Sequence, residues 1–118
     1  MSRTIVTKGM MIAGLFAILS LTAFSSLAMA GGNPHVAEAI AHAQGAAKHG
    51  GMGHADALVS HAEEALSHAM AAQKDVKNPH LDEGVNELKE AIAHGKEGHA
   101  EVGTKHANSA VMHMKEVH

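Results

Sequence analysis

Cysteine is absent from this 118-residue chain. No disulfide can brace it, no thiolate can hold zinc in it, and no leader cysteine is present to carry a lipid. Tryptophan and tyrosine are absent too, and the only phenylalanines, Phe16 and Phe24, lie upstream of Gly31. Beyond that point imidazole is the only aromatic ring, so single-stranded nucleic acid finds no stacking platform. Arginine occurs once, at Arg3. From Gly31 onward there are seven lysines against twelve acidic side chains, a formal charge of −5 with neutral histidine. Such a surface repels a phosphate backbone, and no nucleic-acid partner is expected. The HExxH and CxxCH motifs are missing, which removes the common zinc-protease and c-type haem readings.

The N-terminal segment has the form of an export signal. Arg3 and Lys8 precede the uncharged run "IAGLFAILSLTAF" (Ile12 to Phe24), and "SSLAMA" ends in Ala28-Met29-Ala30, the small-x-small pattern of a signal-peptidase site. The apolar run is shorter than the roughly 20 residues that span a bilayer. Residues 1–30 are therefore expected to be a cleaved secretory leader. Residues 31–118 are expected to be one small exported domain, without stable membrane association after cleavage.

That domain repeats itself. "NPHVAEAIAHAQGAAKHGGMGHADALVSHAEEALSH" (Asn33 to His68) aligns without a gap to "NPHLDEGVNELKEAIAHGKEGHAEVGTKHANSAVMH" (Asn78 to His113), at an offset of 45 residues. The repeats are taken as 33–77 and 78–118. Each opens with Asn-Pro, an N-cap followed by proline at the first helical position. Each is broken midway by glycines, in "HGGMGH" and "HGKEGH". Helices are expected over about 34–49, 54–75, 79–94 and 99–117. Apolar residues step 4, 3, 4 along them: Val36, Ile40, Ala43, Ala47; Ala55, Val59, Ala62, Leu66, Ala69; Leu81, Val85, Leu88, Ile92; and Ala100, Thr104, Ala107, Val111, Met114. With short connections, this spacing predicts an all-α fold: an antiparallel up-down four-helix bundle made of two duplicated helical hairpins. Many seam residues are alanine, so the core is thin and stability should be marginal.

All twelve histidines lie in this domain. With Val36 labelled d and Ile40 labelled a, His35, His42, His49, His54, His61, His68, His80, His94, His99, His106 and His113 all fall at heptad position c. An a/d core would place c on the outer faces. Acidic residues follow the same rhythm: Glu38 between His35 and His42, Glu64 between His61 and His68, and Glu83, Glu87 and Glu90 between His80 and His94. Residues three or four apart on a helix are neighbours. Histidines seven apart are separated by about 10.5 Å along the axis and cannot share one ion directly. Antiparallel pairing is expected to bring His49 to His54, His42 to His61 and His35 to His68. In the second hairpin it pairs His94 with His99, Glu87 with His106 and His80 with His113. Imidazole with carboxylate and water suits Cu(II), Ni(II) and Zn(II), with Cu(II) favoured by the general affinity order. Helix propensity does not explain so many histidines, and a His-rich tract reads as metal binding. Met112 and Met114 flank His113; Met114 reads as a seam residue and Met112 as a flexible filler, although thioether also favours Cu(I).

The NxH helix starts, the two HGxxGH turns and the heptad histidines together resemble the periplasmic small metal-binding proteins. "EAIAHGKEGHAEVGTKHANSAVMH" closely resembles the C-terminal hairpin of that family. The resemblance covers nearly all of residues 31–118. It implies a monomeric four-helix bundle in the periplasm that binds several divalent transition-metal ions, copper(II) foremost, without known catalysis, and that buffers or scavenges metal. Glu87 stands where a heptad histidine is expected, and "HGGMGH" lacks the acidic residue of "HGKEGH". The main rival is a di-metal carboxylate enzyme, whose bundles carry Glu-x-x-His motifs facing the core; no Asp or Glu here has histidine three residues later. A further alternative is a pH-responsive surface protein, since protonating all twelve histidines takes the domain from −5 to +7.

Overall fold

Asparagine and proline start two of the four helices as the sequence predicts. The computed structural model describes residues 32–118, so the expected leader and its cleavage point lie outside the described residues. Helices α1 (Pro34–Gly51) and α3 (Pro79–Lys96) follow extended Asn33 and Asn78, whose side-chain oxygens accept from the backbone N–H of His35 and His80, each at 2.8 Å. Such caps contribute about 1 kcal/mol each. Helices α2 (Ala55–Asp75) and α4 (Ala100–Lys115) begin instead after His54 and His99, which make no side-chain cap bond. A serine or aspartate there would stabilise the helix start better.

The first and third helices run two residues past their expected ends. Gly50 and Gly95 are helical; the chain turns at Gly53 (φ +81°) and Gly98 (φ +82°), where only glycine adopts the left-handed backbone readily. Each turn closes with two bonds, His54 N–H to the His49 carbonyl at 3.0 Å and Gly53 N–H to that of Gly50 at 2.9 Å, mirrored by His99 to His94 and Gly98 to Gly95. This is the Schellman arrangement that satisfies orphan carbonyls.

The four helices form an antiparallel up-down bundle. α1 packs against α2 and α4, and α3 against α2 and α4, while α2 and α4 touch only weakly across the diagonal. No helix among the described residues is long and apolar enough to cross a membrane.

The core is rotated from the expected seam. The fully buried residues are Ala39, Ala43 and Ala46 on α1; Leu58, Ala62, Ala65, Ala69 and Ala72 on α2; Leu81, Leu88 and Ala91 on α3; and Ala107, Ala110 and Met114 on α4. Positions d and g thus face inward. Of the a residues, Ile40, Val59, Leu66 and Ile92 are half-buried at the edge of the core, while Val85 and Val111 are buried. Small side chains at every g position but Leu58 let the two helices of each hairpin approach closely. The turn of each helix toward its partner carries position c, which borders g, into the groove between them. The expectation that the histidines point outward is therefore wrong.

One large side chain closes the loop end of the bundle. Leu58 is fully buried and lies in a cup of three glycines. A Cβ on Gly50 would overlap Leu58 and Thr104; one on Gly95 would meet Leu58 Cδ2 at 3.0 Å and Val59 Cγ2 at 2.6 Å; one on Gly103 would meet both Leu58 methyls at 3.1 and 3.2 Å. Gly103 is the repeat counterpart of Leu58, so the two copies have diverged into a large residue and the hollow that receives it. Toward the other end, a Cβ on Gly84 would meet Met114 Cγ at 2.6 Å.

Candidate metal centre

The groove between α1 and α2 holds a ladder of six imidazoles. Ring centroids follow one another alternately across the hairpin: His35 to His68 at 5.7 Å, His68 to His42 at 5.5 Å, His42 to His61 at 6.2 Å, His61 to His49 at 5.0 Å and His49 to His54 at 6.2 Å. The α3/α4 groove repeats the pattern with His80–His113 at 6.0 Å, His94–His106 at 5.4 Å and His94–His99 at 6.1 Å. Every cross-hairpin pair read from the sequence is present. The setting differs from expectation: His42 is buried at 6% exposure, most of the ladder is half-buried, and only His54, His80 and His99 are exposed. Gly45 makes room for this packing, since a Cβ there would lie 3.2 Å from His61 Nδ1.

Carboxylates complete four three-residue groups whose ligand atoms lie within 4.8 Å of one another: His35–Glu38–His68, His42–His61–Glu64, Glu90–His94–His106 and His94–Glu97–His99. The first is compact. Glu38 Oε1 lies 3.3 Å from His68 Nδ1 and 3.9 Å from His35 Nδ1, and the two ring nitrogens are 3.4 Å apart. Ligands about 2.0–2.1 Å from a tetrahedral ion are about 3.3–3.4 Å apart, so this trio closes on an ion with little movement. In the second group His42 Nδ1 and Glu64 Oε1 are 3.5 Å apart across the hairpin. Burial lowers the His42 imidazole from its ordinary value; Glu64 opposes this, His68 and His61 reinforce it, and Glu38 opposes it in turn. Burial also lowers His61, with His49 adding to the effect and Glu64 opposing it.

Three ring nitrogens in these ladders, Nδ1 of His49, His61 and His94, are buried with no hydrogen-bond partner. A buried polar atom left unpaired costs about 1–3 kcal/mol. A purely structural stack has no reason to accept that cost three times. A groove built to receive a ligand does. The description "small metal-binding protein" belongs to the family whose sequence pattern matches residues 8–117. This chain belongs to that family. None of the curated proteins compared matches it.

The His and Glu side chains brought together in the hairpin grooves are the candidates for the family's metal-binding chemistry. The remaining candidates fall into different places. Glu83 joins none of the four groups, and neither His80–His113 nor His49–His54 gains a carboxylate. Met114 is fully buried as expected, but Met112 fills nothing: it is 70% exposed and lines a shallow surface depression with His80 and His113. Glu97, in the second turn, was missed as a candidate. Its Oε1 lies 3.7 Å from His94 Nδ1 and 3.5 Å from His99 Nδ1. The signal was present in the acidic residue that separates "HGKEGH" from "HGGMGH".

Glu87 does not join a ligand group either. Its Oε1 is 2.7 Å from His106 Nδ1, a short imidazole–carboxylate hydrogen bond across the hairpin. His106 Nδ1–H donates to the carboxylate, which leaves the Nε2 lone pair for a metal ion. At a position where the heptad elsewhere carries histidine, Glu87 is placed to orient the neighbouring candidate ligand His106. Glu87→Gln should weaken metal binding at the Glu90–His94–His106 group about 10–100-fold. Titration of the variant against the parent chain checks this, and unchanged affinity at every site would contradict it.

Proposed function

We propose that this chain binds and buffers divalent transition-metal ions in the periplasm, copper(II) foremost, at several open His–Glu sites, and performs no catalysis. The observation that carries this reading is the coincidence of buried, unpartnered imidazole nitrogens with carboxylates already at ligand spacing in both grooves. Two imidazoles and one carboxylate leave coordination positions for water, which suits Cu(II), Ni(II) and Zn(II) and, by the general affinity order, Cu(II) most. Several half-exposed sites suit exchange of cargo. The inward faces of the bundle are apolar, and His42 is the buried polar residue among the described residues; the acidic groups do not converge there as they do in a di-metal carboxylate enzyme.

Calorimetric titration of residues 31–118 with Cu(II), Ni(II) and Zn(II) tests the reading. More than one ion should bind per chain, with Cu(II) tightest. Absence of binding, or a single ion abolished by replacing His49 and His54 together, would contradict it.

The periplasmic part rests on the leader-like segment, and the family match begins at residue 8, within that segment. Mass spectrometry of the exported protein should find a chain starting at Gly31; a dominant full-length species in the membrane fraction would overturn that part.

A further inference from the structure

His94 is the one residue shared by two of the three-residue groups. Its two nitrogens face different partners. Nε2 lies 3.8 Å from Glu90 Oε1, and Nδ1 lies 3.7 Å from Glu97 Oε1. His106 stacks nearly parallel to the ring at an interplanar angle of 4°, while the His99 ring is tilted by 35° to it at a centroid distance of 6.1 Å. The Nδ1 atom is buried and makes no hydrogen bond, since Glu97 stands beyond reach. One half-buried imidazole thus separates two sets of ligands by the width of its own ring.

We propose that His94 bridges two divalent ions through its two ring nitrogens, joining Glu90 and His106 on one side with Glu97 and His99 on the other into a dinuclear centre. The proposal rests on the metal-binding reading above and adds that these two groups act together. The first ion takes the lone pair of neutral His94. The second takes the other nitrogen, and the proton on that nitrogen passes to solvent. Metal binding releases ligand protons in general, and a bound dication favours the anionic form of its ligand. The imidazolate lowers the repulsion between the two dications, and Glu90 and Glu97 lower it further. Glu87, bonded to His106 Nδ1, turns His106 Nε2 toward coordination.

The first hairpin lacks the parts for a second such centre. His49 is the counterpart of His94, but Gly45 stands where the second hairpin has Glu90, and Met52 where it has Glu97. Two of the carboxylates of the first hairpin, Glu38 and Glu64, instead join the two groups farther from the turn.

The test uses the full domain, residues 31–118, loaded with Cu(II). Bound copper is measured by elemental analysis and unpaired spins by integrated electron paramagnetic resonance at low temperature. An imidazolate couples the spins of a copper pair antiferromagnetically. The saturated protein should therefore show fewer spins than copper ions. The Glu97→Gln change, at an exposed side chain, should remove the deficit and lower bound copper while leaving the fold intact. His94→Ala should do the same. A full spin count in the saturated parent chain overturns the bridge while leaving the metal-binding reading standing. A spin deficit that persists in Glu97→Gln or His94→Ala also overturns it. Failure to bind copper at all overturns both.

Discussion

Acidifying the metal-loaded protein from about pH 7 to about pH 5 should strip most of its ions, because that interval crosses the ordinary histidine pKa near 6.5. A histidine ligand must give up its proton to coordinate. Below its pKa each imidazole ligand costs about tenfold in apparent affinity per pH unit, so a two-histidine site loses about a hundredfold per unit. Burial shifts the His42–His61–Glu64 group, where both imidazoles are pushed below their ordinary value. Its ion should hold to lower pH than free imidazole would allow. The same shifts act on the metal-free fold. With the folded pKa lowered, the unfolded chain binds more protons between that value and about 6.5. The contribution of His42 and His61 to stability is therefore fully present above about pH 6.5 and is lost as pH falls through their folded values. Equilibrium dialysis with metal analysis across the pH range, and melting of the metal-free protein across the same range, check the two halves. Affinity unchanged between pH 7 and pH 5 would make carboxylates the main ligands.

Leu58→Ala should be the most damaging single change to the fold. The largest fully buried side chains are only Leu58, Leu81, Leu88 and Met114; the rest of the buried core is mostly alanine. Leucine-to-alanine changes in cores cost about 2–5 kcal/mol, with the larger values where neighbours cannot collapse into the cavity. The neighbours of Leu58 include Gly50, Gly95 and Gly103, which have no side chains to move in, and the alanines Ala46, Ala62, Ala91 and Ala107. A domain of this size has about 4–13 kcal/mol to lose. Melting followed by far-ultraviolet circular dichroism should show a large drop in Tm, and metal should restore part of it by binding the folded state. An unchanged Tm would mean that the bundle does not depend on this contact.

The fold was legible because its punctuation is chemically specific. Asn33 and Asn78 cap, Pro34 and Pro79 open a helix, and Gly53 and Gly98 supply a left-handed turn. None of these has another common use in that order. The cross-hairpin partners followed from antiparallel geometry alone: once the turns are placed, His35 must reach His68 and Glu87 must reach His106. The orientation of each helix about its axis was less legible. α1 carries alanine at 37, 39, 41, 43, 46 and 47, so several faces look equally apolar, and Ile40 drew the expected seam toward itself. What decides the matter is size. Ala39, Ala46, Gly50 and their counterparts allow close approach that Ile40 and Val59 do not, and the histidines turn inward with them. Periodicity counts apolar residues without weighing their volume.

The candidate site was lost or found for the same kinds of reason. Glu38, Glu64 and Glu90 were found because they keep helical spacing to a histidine. Glu97 also keeps a three-residue spacing to His94, but it was missed because it sits in the turn just past α3, outside the stretch between two heptad histidines of one helix. Glu83 was included on spacing alone, yet it joins no ligand group. The role of Glu87 depends on a contact across the hairpin, which fixes one tautomer of His106, and sequence spacing does not distinguish such an orienting residue from a ligand.

The most direct test of the central claim is anomalous diffraction at the copper edge from crystals of residues 31–118 loaded with Cu(II). Peaks are expected within the α1/α2 groove between His35, Glu38 and His68 and between His42, His61 and Glu64, and within the α3/α4 groove around His94. Copper found only on outer faces away from these side chains, or no ordered copper in either groove, would contradict it.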